Sequence, residues 1–95
     1  MDTQKIKELV TKYNSTGRIA FYHPKQKRIS LNGGQSLPES EAIKKMNDCI
    51  NTDIKNIKSL WLNGLSVEKI QLKVNAPIDF INSVVESEIY YNGND

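Results

Sequence analysis

The sequence predicts an α+β fold, mainly helical, with an N-terminal helix, a β-hairpin and then a three- to four-helix region containing a helix-turn-helix. Three observations predict it. Apolar residues recur three and four apart near the start and again from Ile43 onward, the spacing of a one-sided helix. Two short runs with every second residue apolar flank Pro24-Lys25-Gln26-Lys27, the pattern of a hairpin. Residues that stop or cap helices, Gly17, Gly64 and Ser66, separate the periodic segments. At 95 residues the chain is expected to be a single domain over residues 1–91, with a disordered tail at 92–95.

The first helix is expected over residues 3–14. Ile6, Leu9, Val10 and Tyr13 share one face, Asp2 or Thr3 can cap the start, and Asn14-Ser15-Thr16-Gly17 ends it. The hairpin spans 18–32. In Arg18-Ile19-Ala20-Phe21-Tyr22-His23, Ile19 and Phe21 are expected on the buried face, as are Ile29 and Leu31 in the second run; Gly33-Gly34 closes it. Ser36-Leu37-Pro38-Glu39 reads as a helix start, with Ser36 as cap, Pro38 in the first turn and Glu39 as the capping-box acid. Ile43, Met46, Ile50, Ile54, Ile57 and Trp61 then continue at helical spacing, and Asn51-Thr52-Asp53 is the expected break between two nearly continuous helices. Glu88-Ile89-Tyr90-Tyr91 reads as a short strand joining the hairpin or as an ordered end.

The segment from Ile57 to Glu88 is the most informative. Gly64 allows a helix to stop and the chain to reverse, and Ser66 with Glu68 begins a second helix. Ile70 and Val74 lie one turn apart. Asn75 suits a left-handed backbone position, Ala76 a small apolar turn position, and Ile81 with Val84 or Val85 anchors a third helix on Leu60 and Trp61. Trp61 and Phe80 fall at core positions. This pattern resembles the helix-turn-helix of sigma-factor-like and resolvase-like DNA-binding domains over about a third of the chain. Gln71 stands where such domains have alanine, and Pro77 replaces their Ser or Thr cap.

The resemblance implies that the third helix enters the major groove of double-stranded DNA, with Pro77, Ile78, Asp79, Asn82, Ser83 and Glu86 facing outward. Asn82 and Ser83 are the candidate base readers. No Lys or Arg lies between Ile78 and Asp95, whereas Asp79, Glu86 and Glu88 would oppose phosphates. Phosphate contacts are therefore assigned to Arg18, Lys25, Lys27 and Arg28 on the hairpin, analogous to a winged-helix wing, and to Lys69 and Lys73 on the second helix. The charge distribution agrees: residues 1–35 carry seven basic against two acidic side chains, and residues 36–95 carry six lysines against nine acids.

The reading that follows is a small DNA-binding protein, a transcriptional regulator of bacterial or phage type and a possible homodimer. The alternative is a protein-binding inhibitor or adaptor that uses the same scaffold, which the acidic third helix favours. No enzyme is expected: His23 and Cys49 stand alone, no paired constellation or phosphate loop is present, and neither metal nor cofactor is called for. With one cysteine, no apolar leader and no apolar span, the cytoplasm is the expected location, and no membrane contact is expected.

Overall fold

Among the residues that the computed structural model describes, 2–92 for the backbone and to Glu88 for side chains, the chain forms four helices and three strands. Their order is α1 (Thr3–Asn14), β1 (Ala20–His23), β2 (Arg28–Leu31), β3 (Ser36–Pro38), α2 (Glu39–Leu62), α3 (Val67–Val74) and α4 (Ile78–Asn92). The α+β, mainly helical class is therefore as the sequence predicts. The chain divides into two compact units, Met1–Ile50 and Asn51–Asp95.

In the first unit, α1 begins at Asp2, whose carboxylate accepts from the Lys5 amide at 2.9 Å. That bond satisfies one of the amides a helix start leaves without an intrahelical partner. Ile6 and Tyr13 are its fully buried residues. The helix ends where Gly17 takes a positive φ of 93°. Two asparagines then fasten the hairpin: Asn14 Oδ1 accepts from the Ala20 amide at 2.7 Å, and Asn32 Oδ1 from the Ile19 amide at 3.1 Å. Asn32 also donates to the Tyr13 hydroxyl at 2.9 Å, so one side chain joins β2's end to α1.

The sheet is antiparallel in the order β1-β2-β3, with Tyr22 opposite Ile29 and Ile29 opposite Leu37. Its inward face differs from the expectation. Ala20 and Ile29 are buried, while Ile19 and Phe21 are 57% and 62% exposed. The alternation is present, but shifted by one residue in the first strand, which sends its whole apolar set to the other face. Tyr22 takes the inner position instead, its hydroxyl donating to Glu39 Oε2 at 2.9 Å.

A second difference lies at Ser36–Pro38. These residues form β3 rather than a helix cap, and α2 starts at Glu39. The Arg28 guanidinium decides this: Nε donates to Ser36 Oγ at 2.8 Å and Nη2 to the Ser36 carbonyl at 2.6 Å. Pro38 is accommodated because β3 is an edge strand, where a missing amide donor leaves no ladder bond unmade.

No break occurs at Asn51-Thr52-Asp53; α2 runs from Glu39 to Leu62. It contains neither Gly nor Pro, and its apolar spacing of three and four continues through the segment, so a cap there has nothing to terminate. Ala42, Met46 and Ile50 are buried in its first half and Ile57 in its second.

The second unit has its own core: Ile57, Ile70, Ala76, Phe80, Ile81, Val84 and Val85, with Ile54, Leu60, Trp61, Leu65, Val67 and Val74 partly buried against it. Glu88-Ile89-Tyr90-Tyr91 belongs to α4 and not to a strand, since no Gly or Pro interrupts the helix before Asn92. Asn92 closes α4, and the expected disorder at 93–95 lies outside the described residues. Among the described residues no helix is long and apolar enough to cross a membrane.

Candidate functional site

The turn between α3 and α4 sets the geometry of the second unit. Gly64, at φ 89°, lets the chain leave α2. The Ser66 side chain then caps α3, accepting from the Lys69 amide at 3.4 Å. At the other end Asn75 adopts φ 54° and ψ 39° and its amide donates to the Gln71 carbonyl at 2.9 Å. Three residues later α4 has begun; its first backbone bond runs from the Ile81 amide to the Pro77 carbonyl at 3.2 Å. Pro77 thus stands immediately before the helix, a position its fixed φ suits although its ring offers no capping oxygen.

Burial of Ile70 and Ile81 to zero exposure fixes which way each helix turns. On α4, Phe80, Ile81, Val84 and Val85 face the core, and Asp79, Asn82, Ser83 and Glu86 are exposed. Ile78 is half-buried, so it does not share the outward face with them as the sequence suggests. Ser83 donates to the Phe80 carbonyl at 2.7 Å, which leaves its oxygen lone pairs outward. Glu88 turns back to α2, 3.6 Å from Lys58 Nζ, so its charge is partly compensated rather than aimed at solvent. On α3, Lys69 and Lys73 lie one turn apart and are exposed.

The hairpin cations divide into two pairs. Lys25 and Lys27 are exposed at the turn, Lys27 with a positive φ of 53°. Arg18 and Arg28 are half-buried and engaged within the chain. Arg18 Nη1 donates to the buried Thr16 hydroxyl at 3.0 Å and its guanidinium lies 6.0 Å from the Tyr13 ring centroid. Arg28 holds Ser36 as described. The four hairpin cations lie in the first unit, and Lys69, Lys73, Asn82 and Ser83 lie in the second.

No protein-family model, curated protein or solved structure matches this chain. The α4 face offers hydrogen-bonding groups without positive charge, and α3 supplies two flexible ammonium groups in the same unit. Among the described residues, no group of three or more His, Cys, Asp or Glu is placed to hold a metal ion.

Two features escape a reading of the sequence. The exposure of Phe21 follows from strand phase, and its signal is weak: Ala20 and Tyr22 alternate as regularly as Ile19 and Phe21 do. The raised pKa of Tyr22 is the other. Its hydroxyl is pushed above the ordinary 10.0 by desolvation first, then by the hydrogen bond and negative charge of Glu39, with a hydrogen bond to Thr3 acting the other way. No local pattern links residues 17 positions apart.

Proposed function

We propose that this protein is a small helix-turn-helix DNA-binding protein, a transcriptional regulator of bacterial or phage type acting in the cytoplasm. The observation that carries the reading is the α3–α4 arrangement. A Ser-capped helix, a left-handed turn residue at Asn75 and a following helix share one core and leave Asn82 and Ser83 outward. In such a unit the N-terminal half of α4 lies in the major groove of double-stranded DNA. Asn82 pairs with base edges, adenine first; Asp79 and Glu86 can accept from the cytosine amino group, a use of carboxylates that adds selectivity rather than affinity. Affinity comes from Lys69 and Lys73, with Lys25 and Lys27 on the hairpin as further phosphate ligands.

A second reading is favoured by a specific observation. Leu72 and Leu62 are 86% and 69% exposed in the unit that carries the acidic α4 face. Exposed leucines in a unit that also carries acidic groups on α4 suit a protein partner, for which this unit would serve as an inhibitory or adaptor surface.

A titration of fluorescent random-sequence duplex DNA, followed by anisotropy at two salt concentrations, decides between them. The DNA reading requires binding that weakens steeply with salt, and weaker binding by the Lys69→Ala, Lys73→Ala double variant. Absence of binding at micromolar protein in low salt removes it and leaves the protein-partner reading.

A further inference from the structure

The outward face of the β-sheet carries an exposed aromatic ring that the duplex reading does not use. Residues opposite one another in an antiparallel sheet share a face, so the register places Phe21, Ser30 and Ser36 in one row and His23, Arg28 and Pro38 in the next. Hydrogen bonds along this face agree: His23 Nε2 with Ser30 Oγ at 3.2 Å, and Arg28 Nε with Ser36 Oγ at 2.8 Å. Phe21 is 62% exposed and Ile19, two residues earlier and just before β1, is 57% exposed. The small Ser30 opposite the ring, with Ser36 beyond it on β3, leaves its flank open. None of these residues is acidic, and Lys25 and Lys27 stand exposed at the turn that closes the same two strands.

From these contacts we infer that the outer face of β1-β2-β3 is a stacking platform for single-stranded DNA. An exposed aromatic ring on a rigid sheet accepts the face of an unpaired base, and ammonium groups alongside take the phosphates. Charge complementarity selects a polyanion over an apolar protein surface: the face carries Arg28 with Lys25 and Lys27 at its edge and has no carboxylate among the described residues. Duplex DNA keeps its base faces stacked inside the helix, so Phe21 discriminates against it. The Ser30 and Ser36 hydroxyls are each held within the face by one hydrogen bond, so stacking and phosphate contacts, neither of which needs a 2′-hydroxyl, carry the recognition. This site lies on the first unit and stands or falls apart from the α3–α4 reading.

The experiment is an anisotropy titration of labelled 12-residue oligothymidine, oligouridine and a duplex of equal length. Four proteins are compared: wild type, Phe21→Ala, Phe21→Trp, and Lys69→Ala with Lys73→Ala, each first shown to be folded by circular dichroism. The platform requires that wild type bind oligothymidine, that Phe21→Ala weaken this about tenfold, as loss of one stacked base does, and that Phe21→Trp keep it. Oligothymidine binding must also survive the α3 lysine changes, whatever those do to duplex binding. Equal affinity of Phe21→Ala and wild type for oligothymidine overturns the proposal, as does binding of oligouridine alone. A concentration-dependent dimer in sedimentation that Phe21→Ala abolishes overturns it too, since the face would then be covered by a second copy.

Discussion

Asn75 holds a backbone conformation that a β-carbon disfavours, φ 54° with ψ 39°, and it does so at the turn on which α4's direction depends. Asparagine tolerates this region better than other residues with a β-carbon, apart from aspartate, because its short amide can bond locally. Asn75→Ala is expected to destabilise the protein by about 1 kcal/mol and Asn75→Gly to be neutral or slightly stabilising. Urea unfolding of the two variants checks this, and an unchanged Asn75→Ala midpoint would show that the turn relaxes. Tyr22 gives the pH prediction at the same scale. Its folded pKa lies above the unfolded 10.0, through desolvation and then Glu39. The stability this adds is fully present below pH 10 and is lost as pH rises through the folded value. The absorbance difference between wild type and Tyr22→Phe at 295 nm should therefore titrate above pH 10; a midpoint at or below 10 would mean that in solution Tyr22 has lost both the desolvation and the bond to Glu39.

Element by element, burial separates residues that look equivalent along the chain. Ile70 and Leu72 both lie on α3, two residues apart, yet Ile70 is fully buried and Leu72 is 86% exposed. Ile70→Ala removes methyl groups from the centre of the second unit's core and should cost about 2–5 kcal/mol, depending on how far the cavity collapses. Leu72→Ala should stay within about 0.5 kcal/mol. Thermal unfolding of the pair tests the packing direction of α3, and similar losses from both would place the helix in the wrong rotation. The hairpin shows the same selectivity. Arg28 organises β3 through Ser36, so it acts as a structural cation first, whereas the Lys25 and Lys27 side chains are exposed at the turn, where phosphates can reach them.

For the whole molecule the decisive quantity is charge. The net formal charge is only +2, with the excess of basic groups in the first 35 residues. Duplex affinity then rests on few contacts. With Lys25, Lys27, Lys69 and Lys73 as the available phosphate ligands, the logarithm of the binding constant should fall against the logarithm of salt with a slope no steeper than about −3.6. Replacing Lys25 and Lys27 together should flatten it by about 1.8 if the hairpin takes part. A slope of wild-type size in that variant would take the hairpin out of the duplex model, while leaving the outer sheet face to be judged by Phe21.

Where α1, α3 and the α3–α4 turn begin and end was legible in the sequence alone. Asp2, Gly17, Gly64, Ser66 and Asn75 act on backbone within a few residues of themselves, and the periodicity of Ile70, Ile81, Val84 and Val85 names the buried faces of α3 and α4. Only the tertiary structure decided which face of β1 is buried, that Ser36–Pro38 joins the sheet, that α2 passes through Asn51-Thr52-Asp53, and that Arg18, Arg28 and Glu88 have partners in the chain. The physical reason is range. A cap or a left-handed turn is a local preference, whereas a two-residue alternation fits either face until a distant group chooses. Here Ala20 packs inward with Ile29, the Tyr22 hydroxyl donates to Glu39, and Phe21 is left on the surface.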